Sequence, residues 1–176
     1  MLRCRMPSRV YASLCAVLEE QRLDSKLHDR AAFDCGTPIL NEYLARFARQ
    51  NRQRGITQIY VLVDSDAPAM ILGYYTLSAA QVDTTQLSGA EQKRLPQFPV
   101  PCFRMGRFAI HKDQAGKGLG KKLMGLAVDR CLRAKEEVAA YALIVDAKDA
   151  KAKSFYEHYG LTVCIDDPMK LYLPLG

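Results

Sequence analysis

Five consecutive residues, Gly116-Lys117-Gly118-Leu119-Gly120, have the composition of a loop that binds an anion. Glycines allow the backbone to approach a ligand closely. The apolar residues that follow recur at helical spacing, and the free N–H groups at the start of a helix favour a negatively charged group. Lys117, Lys121 and Lys122 add positive charge beside the loop. The pattern therefore predicts a site for a phosphate-bearing cofactor.

Spacing excludes two common phosphate motifs. A P-loop requires its Gly-Lys pair to be followed by Ser or Thr, whereas Gly116-Lys117 is followed by Gly118. A dinucleotide-binding fingerprint requires a third glycine where this sequence has Lys121. A simpler interpretation also stays open, in which flexible glycines only lead into a helix and the lysines are solvated.

The glycine loop is predicted to join a strand to an amphipathic helix. Apolar residues between Phe103 and Ile110 favour the strand, and residues 119–132 favour the helix. A further strand at 140–145 is followed by a helical segment that contains Tyr156 and ends at Gly160. The other predicted elements are helices at 37–51 and from Ser88, and strands at 58–63, 70–79, 161–165 and 169–174. This order predicts an α/β or α+β domain with a mixed sheet.

Three motifs in this arrangement resemble the GNAT superfamily of N-acetyltransferases. They are Met-Gly-Arg-Phe-Ala-Ile at 105–110, the glycine loop, and residues 145–149 leading to Ser-Phe-Tyr-Glu-His-Tyr-Gly at 154–160. The resemblance covers roughly residues 25 to 175. It implies one GNAT domain at 25–176, with a twisted, mostly antiparallel mixed sheet flanked by helices and central strands that splay apart. Residues 1–24 are then expected to be an N-terminal extension that forms a short helix.

The resemblance implies acetyl-CoA as the cofactor. The backbone of Phe108, Ala109 and Ile110 is expected to pair with the pantetheine arm. The family's loop usually opens with Gln or Arg where this sequence has Ala115, so backbone contacts are better supported than a side-chain contact at that position. The residues expected around the pyrophosphate are Ala115, Gly116, Lys117, Gly118, Leu119, Gly120 and Lys121.

Tyr156 matches the tyrosine that acts as general acid in this family. A phenol with a pKa of about 10 stays protonated at neutral pH and can protonate a thiolate whose conjugate acid has a pKa of about 8.5. The alternative is that Tyr156 is a core residue packed on its helix. Tyr159 is expected to be a packing residue.

Further motifs narrow the resemblance to the GNAT toxins of bacterial toxin–antitoxin pairs. They include Phe-Asp-Cys-Gly at 33–36, Leu-Asn-Glu-Tyr-Leu at 40–44 and Lys-Leu-Tyr-Leu-Pro at 170–174. That subfamily acetylates the α-amino group of amino acids attached to tRNA, which stops translation, and the likeness implies a homodimer and a ribbon–helix–helix antitoxin. The sequence shows no obvious general base. An α-amine with a pKa of about 7.7–8.0 needs such a base less than a lysine amine with a pKa near 10.4.

The net charge of +6 indicates a polyanionic partner. Acetyl-CoA accounts for the lysines of the glycine loop, but not for Arg46, Arg49 and Arg52 on the predicted helix at 37–51. These arginines form either a solvated helix face or a contact surface for RNA phosphates. Arg104 and Arg107 would extend such a surface.

Length and composition indicate a single domain, because 176 residues suffice for one sizeable core. No apolar run approaches the roughly 20 residues of a membrane span. The 6 cysteines are scattered without metal-ligand spacing, so we expect no metal, no disulfide and a cytoplasmic location. Two other functions stay open: acetylation of a small-molecule amine or protein N-terminus, and a catalytically silent acyl-CoA-binding module.

Overall fold

A computed structural model describes residues 17–176 of the chain. Its strands are β1 (Leu18–Arg22), β2 (Gln58–Asp64), β3 (Gly73–Val82), β4 (Val100–Ile110), β5 (Ala142–Asp146), β6 (Thr162–Val163) and β7 (Lys170–Pro174). Its helices are α1 (Pro38–Glu42), α2 (Ala48–Gln53), α3 (Gly89–Gln92), α4 (Leu119–Ala134) and α5 (Ala150–His158). A π-helical turn (Tyr43–Phe47) joins α1 to α2, which confirms the helix predicted at 37–51. Two 3-10 turns, Thr84–Gln86 and Lys112–Gln114, complete the described elements.

The seven strands form one sheet in the order β1-β2-β3-β4-β5-β7-β6. Every neighbouring pair is antiparallel except β4 and β5, which are parallel. A parallel pair requires a crossover connection, and the segment containing α4 provides it. The predicted mixed, mostly antiparallel sheet is confirmed.

Strand β1 corrects the prediction for the N-terminal residues. Residues 18–22 were expected in a helical extension, but they pair with β2 from Leu18 opposite Asp64 to Arg22 opposite Tyr60. The sheet therefore begins before residue 24. The rest of the predicted helix falls on residues 1–16, which lie outside the described residues.

The centre of the sheet splays, as the resemblance implied. Strands β4 and β5 are paired only from Cys102 opposite Ala142 to Met105 opposite Val145. Strand β4 continues for five more residues, 106–110, and this part is paired with β3 alone. One backbone edge of β4 is consequently open beyond Met105.

A β-bulge at Gly106 changes the direction of the side chains along β4. Arg107 pairs with Thr76 and Met105 with Leu77, so Gly106 is an extra residue in the ladder. Without it, strict alternation would place residues 107 and 109 on the face occupied by Met105. With it, Phe108 and Ile110 join Met105 in the cluster beneath α4 and α5.

Helices cover both faces of the sheet. One face packs Leu123, Met124, Ala127 and Cys131 of α4 against the central strands, together with Tyr156 of α5. The opposite face is covered by the α1–α2 segment and Phe33. Strand β2 contributes to both layers because its successive side chains alternate between the two faces.

Three cysteines are buried free thiols in the described part of the chain: Cys102, Cys131 and Cys164. Burial raises the pKa of Cys102 to about 11, of Cys131 to about 12 and of Cys164 to about 11, so these thiols stay protonated at neutral pH. Between residues 17 and 176, no three His, Cys, Asp or Glu side chains are grouped as a metal site would require. No helix in this range has the length and apolar character needed to cross a membrane.

Candidate active site

A cleft of about 340 Å³ opens where β4 and β5 diverge. Its walls are the end of β4, the start of α5 and the segment that leads into α1. Five of the predicted site residues line this cleft together: Phe108, Ala109, Ile110, Gly120 and Tyr156.

The open edge of β4 forms one side of the cleft. Unpaired backbone N–H and C=O groups require partners, and an extended ligand that carries amide groups can pair with such an edge as an added strand. The neighbouring aromatic rings make the cleft floor apolar. Phe108 packs against Phe155 with ring centroids 5.4 Å apart, and against Tyr156 at 6.3 Å.

The glycine loop lies at the start of α4. Gly116 and Gly118 have φ of +75° and +79°, a conformation that favours glycine. Gly118 is the N-cap of this 16-residue helix, and the first helical N–H groups have no acceptor among the described residues. Lys117, Lys121 and Lys122 are exposed beside it. The arrangement suits an anion, as the sequence predicts.

Gly120 has a different structural role in the loop. A Cβ atom at this position would lie 3.3 Å from the Phe155 ring, closer than ordinary contact. The glycine therefore allows α4 and α5 to approach each other at the cleft. Ala115 is exposed and contributes only a methyl group, while the Gln114 side chain accepts a hydrogen bond from Lys117 at 3.4 Å.

Tyr156 lies in α5 with 7% of its surface exposed. Helix α5 is fixed at its start by Asp149, whose Oδ1 accepts a hydrogen bond from the Ala152 N–H at 2.7 Å. The Tyr156 hydroxyl has no hydrogen-bond partner among residues 17–176, and it is not sealed from solvent. Burial, with a smaller contribution from Asp149, raises the pKa of Tyr156 to about 12. The side chain is therefore both a core residue and a protonated group facing the cleft.

The segment that enters α1 is held by a polar network. Asp34 forms an ion pair with Lys112 at 2.7 Å and accepts hydrogen bonds from the Gly36 N–H and the Asn41 amide, each at 2.8 Å. These contacts, led by the Lys112 hydrogen bond, hold the pKa of Asp34 well below its usual range. Cys35 donates to Asn41 Oδ1 through its backbone N–H at 2.9 Å and its thiol at 3.1 Å. The network fixes the wall of the cleft opposite α5.

The five predicted RNA-binding arginines have different surroundings. Arg46 pairs with Glu42 at 3.1 Å, and Arg104 pairs with Asp146; all four side chains are largely exposed. The half-buried Arg52 donates a hydrogen bond to the Leu23 carbonyl, which gives it a structural role. The remaining two are Arg49, which is exposed, and Arg107, whose guanidinium lies 3.5 Å above the Tyr43 ring.

No free general base lines the cleft in the part of the chain that the structure describes. Its one carboxylate among the described residues is Asp149, which caps α5. His28 is buried between Asp24 and Gln21, and desolvation lowers its pKa. His111 packs against Phe33 on the other side of the polar network. An acceptor amine that enters the cleft must therefore be neutral already or lose its proton to water.

Comparison with known proteins identifies the family. A family model described as an acetyltransferase (GNAT) domain matches residues 47–170. The chain belongs to the GNAT acetyltransferase family. Within this GNAT domain, the matched region includes β4, the glycine loop, α4 and α5.

Relatives of this GNAT domain include toxins. The chain is 29% identical over 149 residues to a tRNA-acetylating toxin of Mycobacterium tuberculosis, a match that covers 85% of this chain and 87% of that protein. It superposes with a TM-score of 0.84 and 28% identity on AtaT complexed with acetyl-methionyl-tRNAfMet, covering 90% of this chain and 95% of that one. A tyrosine-to-phenylalanine variant of AtaT, bound to the C-terminus of the antitoxin AtaR and acetyl-CoA, superposes with a TM-score of 0.76 and 26% identity, covering 90% and 93%.

Sequence reasoning missed part of the lining of the GNAT cleft, at the entrance of α1 and around the start of α5. Cys35, Thr37, Leu40, Lys148 and Lys151 all line it. The Lys148 amine donates to the Thr37 hydroxyl at 3.0 Å, which joins the entrance of α5 to the entrance of α1. The available signal was the Phe-Asp-Cys-Gly motif, which supported only the subfamily resemblance.

Proposed function

We propose that this GNAT acetyltransferase transfers an acetyl group from acetyl-CoA to the α-amino group of aminoacyl-tRNA, and so acts as a toxin that blocks translation. The observation that carries the proposal is the cleft in which the unpartnered Tyr156 hydroxyl faces the open edge of β4. The similarity to a tRNA-acetylating toxin and to AtaT with acetyl-methionyl-tRNAfMet supports the choice of acceptor.

The residues present fit acetyl-CoA. The backbone of Phe108, Ala109 and Ile110 would pair with the amides of the pantetheine arm along the open edge of β4. The N–H groups at the start of α4 and the loop lysines would hold the pyrophosphate. The space beside the glycine loop is open to the pyrophosphate. A Cβ atom added at Gly116 or Gly118 would meet nothing within 4 Å, so no described side chain occupies this space.

Bound acetyl-CoA supplies a thioester whose carbonyl carbon accepts the amine and whose sulfur departs. Tyr156 holds its proton at neutral pH because its pKa is about 12. That pKa lies above the value of about 8.5 for a thiol, so Tyr156 acts first as a hydrogen-bond donor to the departing sulfur. Tyr156 would pass its proton to the departing sulfur as the attacking nitrogen, positively charged after it bonds to the carbonyl carbon, loses its own proton. That proton returns through water to the phenol, which ends protonated. An N–H of β4 near Ala109 would stabilise negative charge on the carbonyl oxygen.

The cleft suits an α-amine better than a lysine side chain. Asp149 already accepts the helix-capping hydrogen bond, and no histidine is among the described residues that line the cleft. A base is needed to deprotonate an amine with a pKa near 10.4, whereas an amine with a pKa of about 7.7–8.0 is partly neutral at pH 7.5. The absence of a base in the described cleft therefore favours an aminoacyl ester as the acceptor.

The protein partners of the five predicted arginines indicate which of them can bind RNA. Arg49 and Arg107 have no ion-pair partner in the described part of the chain. Arg46 and Arg104 can exchange their exposed carboxylate partners for phosphates, because exposed ion pairs contribute little stability. Arg52 is excluded from this set by its bond to Leu23. The proposed RNA-contacting residues are Arg46, Arg49, Arg104 and Arg107.

The proposal includes partners and a location. We propose a homodimer in the cytoplasm, neutralised by an antitoxin of the ribbon–helix–helix type. The complex of AtaT with the C-terminus of AtaR supports an antitoxin that binds a GNAT toxin directly. Size measurement by light scattering tests the dimer, and co-purification with the product of the adjacent reading frame tests the antitoxin.

Purified protein tests the activity against its alternatives. We expect transfer from acetyl-CoA to charged tRNA and no transfer to uncharged tRNA or to a panel of small amines and peptide N-termini. Transfer to small amines or peptides alone would contradict the proposed acceptor. Binding of acetyl-CoA without transfer to any acceptor would indicate a silent binding module.

A further inference from the structure

Arg107 is a half-buried arginine held against an aromatic ring. Its guanidinium carbon lies 3.5 Å from the centre of the Tyr43 ring. Tyr43 is buried, and its hydroxyl accepts a hydrogen bond from the Asn51 amide at 3.4 Å. The ring is thus fixed by the π-helical turn and α2. Stacking restricts the guanidinium but leaves its in-plane N–H groups available.

These N–H groups have no partner within residues 17–176. Among the described residues, no carboxylate lies within ion-pair distance of Arg107, and none accepts a hydrogen bond from its guanidinium. Arg130 provides the contrast, because it also stacks on a tyrosine, Tyr60, but is paired with Glu20. A stacked arginine with free N–H groups is preorganised for two parallel hydrogen bonds to a phosphate.

The position of Arg107 separates it from the loop expected to bind the cofactor phosphates. Arg107 is two residues before Ala109, so both lie on the face covered by α1 and α2, roughly 7 Å apart along the strand. Ala109 lines the cleft, whereas α4 covers the opposite face. A phosphate bound by Arg107 would therefore belong to the acceptor and not to the cofactor.

Tyr74 gives independent support for this location. Its hydroxyl donates to the carbonyl of Leu40, a residue that lines the cleft, at 2.8 Å. Burial raises the pKa of Tyr74 well above its usual range, and the nearby charge of Arg107 acts in the opposite direction. Arg107 is thus close to the wall formed by α1.

We propose that Arg107, stacked on Tyr43, binds the phosphate of the 3′-terminal nucleotide of the charged RNA. This inference rests on the proposed function. The amino acid is esterified to the ribose of that nucleotide, so its own phosphate is the nearest one to the reacting amine, one sugar away. Binding there would set the distance between the α-amine and the open edge of β4. Arg107 would contact a phosphate of the RNA backbone and not a base. It would therefore favour the ends of charged RNA over free amino acid esters, which lack this phosphate.

The test uses two minimal acceptors, 3′-O-aminoacyl-adenosine with and without a 5′-phosphate. We expect the wild-type protein to prefer the phosphorylated acceptor by at least about tenfold in kcat/KM. Arg107→Gln should remove this preference and leave acetyl-CoA affinity within about twofold. Arg107→Lys keeps the positive charge but lacks the paired N–H groups of the guanidinium, so it should retain part of the preference. Arg133→Gln is the matched control, because Arg133 is an exposed arginine of α4 paired with Asp129.

The outcomes separate this inference from the proposed function. A wild-type protein that acetylates charged tRNA without preferring the phosphorylated acceptor would overturn the role of Arg107. The same holds if Arg107→Gln keeps the preference. If Arg107→Gln does not fold, the preference of Arg107→Lys for the phosphorylated acceptor becomes the test. A preference equal to that of the wild type would contradict paired hydrogen bonds from the guanidinium to the phosphate. Failure to acetylate charged tRNA at all would refute the proposed function itself.

Discussion

Glu20 on β1 and Arg130 on α4 form an ion pair across one face of the sheet, with Arg130 Nε 2.8 Å from Glu20 Oε2. The Tyr75 hydroxyl also donates to Glu20, and the Arg130 guanidinium lies 4.0 Å from the centre of the Tyr60 ring. The Glu20 side chain is 5% exposed and that of Arg130 is 25% exposed. This network attaches the first strand to the helix that carries the glycine loop.

Glu20→Gln should lower the free energy of unfolding by about 2–3 kcal/mol, because it leaves the largely buried Arg130 without its counter-charge. Urea denaturation monitored by circular dichroism measures the change. Glu19→Gln is the control, since Glu19 is exposed on the same strand and should change stability by less than about 0.5 kcal/mol. Equal effects of the two substitutions would contradict the structural role of the pair.

The same pair explains why the sequence did not predict β1. The strand reads Leu-Glu-Glu-Gln-Arg, which lacks the apolar alternation of a half-buried strand. Glu20 is buried only because Arg130, 110 residues later in the chain, neutralises it. Such a long-range contact leaves no local signal, so the polar sequence alone does not indicate a strand.

Tyr156→Phe should reduce acetyl transfer by at least about 100-fold, the effect expected when a positioned proton donor is removed. Acetyl-CoA affinity should stay within about twofold of wild type. The free energy of unfolding should change by less than about 0.5 kcal/mol, since the hydroxyl has no protein partner in the described structure. Single-turnover kinetics, calorimetry and urea denaturation measure the three quantities.

Tyr159→Phe is the matched control for this substitution. Tyr159 is half-buried and packs edge-on against Phe155, with ring centroids 4.8 Å apart, but it does not line the cleft. Its loss of a hydroxyl should leave transfer unchanged. A Tyr156→Phe protein as active as Tyr159→Phe would show that another group protonates the sulfur.

The pH dependence of transfer should show one ionisation below pH 10. The rate should rise as the acceptor amine loses its proton, with a midpoint below the value of about 7.7–8.0 for a free α-amine, because esterification of the carboxyl lowers the pKa of the amine. It should then stay level to about pH 10, because burial raises the pKa of Tyr156 to about 12 and its protonated form persists to higher pH than in an exposed tyrosine. Initial rates with saturating acetyl-CoA between pH 6 and 10.5, corrected for base hydrolysis of the aminoacyl ester, test this. A decline with a midpoint near pH 9 would mean that the donor is not a buried phenol.

Gly118→Asp should weaken acetyl-CoA binding by at least about tenfold, because it places a negative charge at the start of α4 beside the expected phosphates. Gly118→Asn is the control. Both substitutions carry the strain of φ +79°, which asparagine tolerates better than most residues, and a Cβ there meets nothing within 4 Å. Titration calorimetry measures the two affinities. Similar values for Asp and Asn would contradict a phosphate site at this helix start.

Local patterns predicted the parts of the site that depend on backbone conformation. The glycine loop and α4 follow from glycine at φ above zero and from a helical apolar repeat, both readable in the sequence. The wall near α1 could not be predicted, because the Asp34–Lys112 and Lys148–Thr37 contacts join residues far apart in the chain. The protein contacts of the arginines could not be predicted for the same reason. Their spacing on a helix indicated one surface, but the bond from Arg52 to Leu23 depends on the packing of Leu23, the residue after β1, beside α2.

The proposed reaction is transfer of an acetyl group to the α-amine of a charged tRNA in the cleft between β4 and α5. The most direct measurement incubates purified protein with labelled acetyl-CoA and charged tRNA, then releases the amino acid with mild base for mass spectrometry. We expect the label to leave the RNA as N-acetyl amino acid, and Tyr156→Phe to reduce this product by at least about 100-fold. Label that remains on the RNA after base treatment, or that is found only on small amines, would refute acetylation of the α-amine of charged tRNA.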